Sequence, residues 1–509
     1  MLCVLYGDTI RVLDVHSSSN GFDIDLYSIV NPIPESPSAT QGEQKLSLLY
    51  YSNDIIAVHA ERNGRPGSGR IFAISTQTVP PGGKRVLKEI VLSSSYRLFA
   101  RHTGSYLYYG TLTGMGPRGH LEWEIKGVSL DFEIPIQANV YPLQLEGFLG
   151  TDIGSTIAFK IHDGYFYAVS NQEDFDVDAY ELDWTSFYHC IRFPLNRATR
   201  ETMEICPRVY RRQHNEGPIH DSWTELSLQV AERRLVIVES RREWQNGSSH
   251  ALRTSYITKL WDPVEDNFTS SSANTSLTIG PTNAPLLDFD DVFSSLLDIC
   301  NEPRYAPSQP RGASDYHSEY PSKHYTTRSF LLARSKFRCY DYSCSSFIDL
   351  VEDDQCCDDP STGPCLRIRV SSRSIAPLDL SSQDKDTAYR YSAVKTWPPP
   401  ASRCPCSKRL HEILNPPTAF RSALKRTITA VLDEGCLVYM VRQAKPYSSN
   451  DDRPPGTIVL INFNRGLISL NPTGNKLSDY KEQMVENCDP SHWQWTPGQD
   501  RICVYGGCC

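Results

Sequence analysis

The feature that most constrains this chain is a repeated unit. Two short runs of alternating apolar and polar residues are joined by a tight turn and followed by a third run. The unit occurs seven times along the sequence. The paired runs are Cys3–Tyr6 with Thr9–Val15, Leu46–Tyr51 with Asp54–Ala60, Tyr96–Ala100 with Tyr106–Thr111, and Thr156–Ile161 with Tyr165–Ser170. They continue as Glu225–Val230 with Leu235–Ser240, Phe330–Ala333 with Phe337–Asp341, and Thr427–Leu432 with Cys436–Val441. Turns fall at Gly7-Asp8, Ser52-Asn53, Thr103-Gly104, Asp163-Gly164 and Glu434-Gly435, where glycine in particular tolerates the positive φ a tight hairpin needs. Third runs follow at 22–30, 70–75, 121–130, 186–193, 254–260, 347–351 and 457–463, and 86–92 and 365–370 are candidates for fourth strands.

A small antiparallel sheet with two apolar faces cannot bury both by itself, and stacking such sheets around a ring solves that problem. The sequence therefore predicts an all-β fold, a β-propeller of six or seven antiparallel blades with long loop insertions, with tandem β-sandwiches as the alternative. The propeller-like domain is expected to span 1–509. Residues 264–324 are rich in Ser, Pro, Asn and Gly, with an acidic amphipathic stretch at 286–299, and read as a loop insertion outside the ring. A second insertion covers 374–425 and carries a candidate short helix at Ser407–Leu414.

Charge and composition narrow the function. A net charge of −9 excludes a general electrostatic nucleic-acid binder, so no nucleic acid is expected as partner. No run approaches the ~18 consecutive apolar residues a membrane span requires, and none is expected to engage a membrane. The start, MLCVLYGDTIRVLDV, lacks the basic and apolar blocks of a signal peptide. Sixteen cysteines in 509 residues fall well below the density of a disulfide scaffold. Cys339, Cys344, Cys356, Cys357 and Cys365 are therefore expected as reduced thiols in the cytoplasm or nucleus.

The sequence's apparent enzyme motifs fail on context. GMGPRG (Gly114, Gly116, Gly119) has dinucleotide-loop spacing but runs into a strand-like segment, where a helix N-terminus would be needed. GRPGSGRI (64–71) lacks the Lys-Ser/Thr of a phosphate loop, and His411-Glu412 has Asn415 where a zinc protease needs histidine. No G-x-S-x-G elbow occurs. The cysteine spacings do not form the paired knuckles of a zinc site, so no metal, cofactor or catalytic residue is assigned. The terminal Gly506–Cys509 is similar to the lipidated ends of Rab GTPases, but recognition there depends on a GTPase fold.

Charged and aromatic residues are densest between Trp184 and Trp244. Arg211, Arg212, His214, Glu216, Asp221 and Trp223 precede the fifth hairpin. Arg241, Arg242, Glu243 and Trp244 follow its second strand. In an up-and-down blade those two positions lie at the same end of the sheet. Arg and Trp are residue types that anchor interfaces, so these ten are the candidate partner-binding residues. The competing reading is a structural network of salt bridges and tryptophans packed between blades.

The segments WTSFYHCIRFPL (184–195), GPIHDSWTELSLQ (217–229) and VIVESRREW (236–244), the last followed by a Gly/Ser turn, resemble the C-terminal region of filamentous-fungal F-box proteins. The resemblance covers roughly residues 1–260 and extends more loosely beyond. It implies a non-enzymatic domain that presents a protein substrate to a Skp1–cullin ubiquitin ligase, with the chemistry done by the E2 enzyme. The L-P-x-E-[IL]-type helix that opens an F-box does not occur here, so Skp1 is expected as partner only if an F-box precedes Met1. Two alternatives stand beside this reading. One is a scaffold unrelated to ubiquitin. The other is a propeller hydrolase with His162, Asp163, His189, His220 and Asp221 around a central-channel metal.

Overall fold

In the computed structural model, residues 2–15, 21–30, 44–62, 69–77, 84–117, 119–131, 133–138, 142–172, 185–213, 218–220, 223–231, 233–244 and 251–260 are described. Beyond these, the description covers 316–319, 334–341, 346–353, 364–372, 374–375, 389–390, 395–397, 405–415, 426–432, 436–443 and 457–462.

Seven antiparallel sheets follow one another along the chain as the blades of a β-propeller. Blade 1 has three strands (Leu2–Tyr6, Thr9–Leu13, Gly21–Asp25). Blade 2 has four (Gln44–Ser52, Ile55–Arg62, Arg70–Ser75, Val86–Val91). Blade 3 is formed by Phe99–His102, Tyr106–Met115, Leu121–Ser129 and Leu143–Gln144. Blade 4 is formed by Ile157–His162, Tyr165–Ser170, Thr185–Pro194 and Glu204–Gln213. Blade 5 comprises Glu225–Ala231, Arg234–Trp244, Ala251–Lys259 and Tyr316–Glu319. Blade 6 comprises Arg334–Asp341, Ser346–Asp353, Cys365–Ser372 and Lys395–Trp397. Blade 7 has, among the described residues, three strands (Arg426–Leu432, Cys436–Gln443, Thr457–Asn462).

Alternation explains the stacking. Side chains along a strand point to opposite faces in turn. In the second strand of blade 2, Ile56, Val58 and Ala60 pack with Ile10, Val12 and Ile24 of blade 1. Ile55 and Ala57 of the same strand face Ala100 and Leu107 of blade 3. In blade 4, Phe166 and Ala168 join the core shared with blade 3, whereas Tyr167 and Val169 join Leu226, Leu228 and Ile237 of blade 5. A strand buried on both faces must therefore read as a near-continuous apolar run, as IIAV and FYAV do. First strands of neighbouring blades also approach one another, which places them around the axis. The ring closes where Val15, Leu2 and Leu13 meet Cys436, Val438 and Leu460.

The hairpins are set by local backbone chemistry. Asp163 and Gly164 both adopt positive φ (44° and 77°), the conformation a two-residue primed turn requires. Asn53 and Asp54 do the same (47° and 57°). That places the second turn one residue later than the Ser52-Asn53 expected. Gly119 (φ 78°) lies in the connection between two strands, so GMGPRG belongs to a hairpin.

Three expectations change. Residues 26–30 form a short helix, Leu26–Val30, which buries Leu26 and Val30 against blade 2, so the third run ends at Asp25. In the sixth unit, Arg334–Asp341 pairs with Ser346–Asp353 rather than with 330–333, which lie outside the described residues. The segment 365–370 is then the third strand of that blade, not a fourth. Finally, the stretches 264–324 and 374–425 do not stay wholly outside the ring: Tyr316–Glu319 and Lys395–Trp397 supply fourth strands to blades 5 and 6. The helix of the second stretch spans Pro405–Leu414, and its Leu410 and Leu414 are buried between blades 6 and 7. The remainder of both stretches, including 286–299, lies outside the described residues.

Cys339 and Cys365 are thiols rather than disulfide partners. Cys344, Cys356 and Cys357 lie outside the described residues.

Candidate functional site

The two charged stretches of the fifth unit meet at one end of blade 5. The His220 backbone N–H donates to the Arg242 carbonyl (2.9 Å), and the Trp223 N–H donates to the His220 carbonyl (2.8 Å). This lashes the segment before the first strand to the end of the second. Trp223 is half-buried there, with the Arg338 guanidinium 3.9 Å from its ring and that of Arg242 5.5 Å away. Such contacts hold an indole in place at little cost in rotamer freedom.

Below Trp223, at the seam of blades 5 and 6, lies a cavity of ≈150 Å³. Its wall includes Thr224, Glu225, Ser240, Arg253, Arg338 and Phe347. Burial pushes the Glu225 carboxyl up to about 7, against the pull of Arg253 and Arg338 and with the help of Asp349. Burial, and then the carboxylates around it, raise the Cys339 thiol well above its ordinary value. It stays protonated at neutral pH and is a poor nucleophile.

Behind the cavity, Arg253 donates to both carboxylate oxygens of Asp349 (2.7 and 3.0 Å) and lies 4.1 Å over the Phe347 ring. Arg369 bonds the same carboxylate through Nε at 3.0 Å and through Nη2. Asp349 is fully buried, and burial alone would raise it. Arg253 and Arg369 overcome that and hold its carboxyl below the usual range.

A second network fills the seam of blades 4 and 5. Glu239, fully buried, accepts from Arg211 (2.7 Å), the Tyr188 hydroxyl (2.7 Å), Arg241 Nε (2.8 Å) and Asn171 (3.0 Å). Burial would raise this carboxyl too, but Arg211 and Arg241 hold it far below the ordinary glutamate value. Arg241 also donates to the Arg211 carbonyl (3.0 Å) and lies 4.2 Å over Tyr256.

Burial corrects the sequence reading at three positions. Arg241 is 1% exposed and Arg212 5%, and the Arg211 side chain is 9% exposed. All three are packed inside the molecule and present no guanidinium to a partner. Arg242 and Trp223 remain at the partly open end of blade 5. Glu243 and Trp244 end the second strand, with Trp244 opposite Ala251. Their side chains, and residues His214, Glu216 and Asp221, lie outside the described residues.

Of the residues of the hydrolase alternative, Asp221 lies outside the described residues, and His162 and His189 stand at opposite ends of one sheet. His162 sits at the turn of the first hairpin of blade 4, with Nε2 3.2 Å from the Arg233 carbonyl. His189 lies opposite Ser170, against Phe148, at the other end of the same sheet. The register puts them about 17 Å apart along the strands. Among the described residues, no three His, Cys, Asp or Glu side chains group as metal ligands. Among those residues, too, no helix is long and apolar enough to cross a membrane.

Sequence reasoning missed Glu225, Arg253, Arg338 and Asp349. The available signal was a charge in the centre of an otherwise apolar strand, as in FIDLV, where alternation puts Asp349 on an inward face.

No family model matches the chain, and no curated protein matches it in sequence. Among solved structures, the chain is similar to the WD40 domain of SCAP from fission yeast, at 10% identity over 86% of this chain and 78% of that one, with a TM-score of 0.33. It is also similar to alpha-L-arabinofuranosidase from Lactobacillus brevis (11% identity, 73% and 91% covered, TM-score 0.24). A third is prolyl oligopeptidase B from Galerina marginata (10% identity, 80% and 42% covered, TM-score 0.30).

Proposed function

We propose that this propeller is a non-enzymatic protein-interaction domain, the substrate-recognition part of an F-box-type receptor in a Skp1–cullin ubiquitin ligase. The observation that carries the interaction reading is Trp223, a partly exposed indole held between two guanidinium groups at the end of blade 5. A pre-positioned aromatic ring beside arginines offers much contact area for little ordering cost. The ligase reading is supported by the resemblance of 184–195, 217–229 and 236–244 to fungal F-box proteins.

The two parts are tested separately. The natural gene product, with whatever coding sequence lies upstream of Met1, should co-purify with Skp1. A folded product that captures no Skp1 overturns the ligase part. Trp223→Ala should weaken capture of the substrate protein by ~2 kcal/mol or more while Skp1 binding is unchanged. Undiminished capture overturns the interaction part.

A further inference from the structure

We propose that the cavity at the seam of blades 5 and 6 is a binding site for a single carboxylate group, held by Glu225 as hydrogen-bond donor and by the neighbouring guanidinium of Arg338. A space of ≈150 Å³ has room for about the volume of a benzene ring, so it suits one small acid or the last residue of a peptide. Ser240 and Thr224 add hydroxyls to the wall. Glu225 lines the wall of this space, next to Thr224 and within the same lining as Arg338.

The groups facing Glu225 decide the sign of the ligand. Arg253 comes from the third strand of blade 5, Arg338 and Cys339 from the first strand of blade 6, and Asp349 from its second strand. Among the described residues, blade 4 contributes Gly154, just before its first strand. The carboxylate of Asp349 is engaged by Arg253 and Arg369, and the Cys339 thiol is neutral. Two guanidinium groups in the wall repel an ammonium and attract an anion. An incoming carboxylate would be repelled by an ionised Glu225 but is welcomed by a protonated one, which donates a charge-assisted O–H···O⁻ bond. The carboxyl titrates at about 7, so it supplies that proton near neutrality.

Binding is therefore linked to uptake of one proton. The test is calorimetric titration of the whole chain with N-acetylglycine, its neutral analogue N-acetylglycinamide, and propylammonium. N-acetylglycine should bind, the amide at least about tenfold more weakly, and the ammonium not at all. Affinity for N-acetylglycine should fall by about tenfold per pH unit above about pH 7.5, as each unit costs one decade of protonated carboxyl. Glu225→Gln, which keeps the shape and a donor, should retain binding and flatten that profile. A glycine-terminated peptide that binds as well as N-acetylglycine assigns the site to chain ends, and its exclusion assigns the site to small acids. Preference for the ammonium, an affinity that rises with pH, or no N-acetylglycine binding by the folded wild-type chain overturns the proposal. The wild-type pH profile decides the matter even if a variant misfolds. Because these probes involve no protein partner, the outcome is independent of the Skp1 and substrate-capture tests.

Discussion

Two seams of this propeller solve the same packing problem in opposite ways. Between blades 3 and 4 the interface is largely aromatic. Phe99 stacks on Phe159 (4.0 Å between centroids), Phe166 stacks on Phe193 (5.0 Å), and Trp123 sets its edge against Phe99 and Phe159. Between blades 4 and 5, the strand Arg234–Trp244 begins in the same manner, with Leu235 and Ile237 inward. Its next two inward positions are Glu239 and Arg241. Apolar seams derive stability from area removed from water. The charged seams trade much of that for directional bonds, because two ions brought out of water recover little more than their desolvation cost. The difference teaches that such a network mainly fixes which side chains may sit where, and that it fails abruptly when one member is removed.

The largest effect that would break this comparison is removal of the central carboxylate. Glu239→Ala should cost about 5 kcal/mol in denaturant unfolding, since it strands two buried guanidiniums. In a background of Arg211→Met and Arg241→Met the same change should cost far less, and equal costs would contradict the network. Below an ordinary glutamate value of about 4.3 the Glu239 contribution should fade, because the unfolded chain then binds a proton that the folded one resists. Phe166→Ala in the aromatic seam should cost about 4 kcal/mol, with the same value at low and high salt. A strong salt dependence there would erase the distinction.

A smaller effect sharpens the contrast through pH. His102, buried between blades 2 and 3, is pushed down to about 4 by burial. Between about pH 6.5 and 4 the unfolded chain binds this proton and the folded one does not, so stability falls on acidification, by up to about 3 kcal/mol. Glu225 has the opposite sign. Its folded carboxyl holds a proton up to about pH 7 while the unfolded one releases it near 4.5, so its contribution falls as pH rises through that window, by at most a similar amount of about 3 kcal/mol. The two should offset in the wild type. Glu225→Gln should leave a chain that loses stability more steeply on acidification, and His102→Phe one that loses it on alkalinisation. Thermal melts across this range check both, and parallel curves for the two variants would refute the assignment. Last and smallest, Arg11→Ala should leave the melting temperature unchanged, because its pair with Asp23 (2.8 Å) is largely in solvent.

Much of the ring was legible in the sequence because its signal is local. Alternation and a turn dipeptide are visible within about ten residues, which is why the strand Arg70–Ser75 matches its expected run residue for residue. The sixth unit reads differently in the sequence because FLLA at 330–333 is as apolar as a strand, while the segment YSCS at 342–345 carries no glycine to mark a turn. Charged seams were illegible for a different reason. Arg253 and Asp349 are 96 residues apart, and nothing near either announces the other. Arginine is a surface residue by default, so Arg211, Arg212 and Arg241 were assigned outward. Only the parity of the strand, with Leu235 and Ile237 inward, reveals that Glu239 and Arg241 must point inward as well.

The closing contact has a consequence for how the molecule is made. Blades 1 and 7 each have three strands among the described residues, and no strand of one pairs with the other. Among the described residues, Val15 meets Cys436 and Val438 across this closure, flanked by Leu2, Leu13 and Leu460. These groups leave the ribosome more than 400 residues apart, which at typical elongation rates is a delay of roughly 20–90 s. For that interval the arc is open, and blade 1 shows an apolar flank to solvent or to any chaperone within reach. Contacts among these side chains then cover that flank.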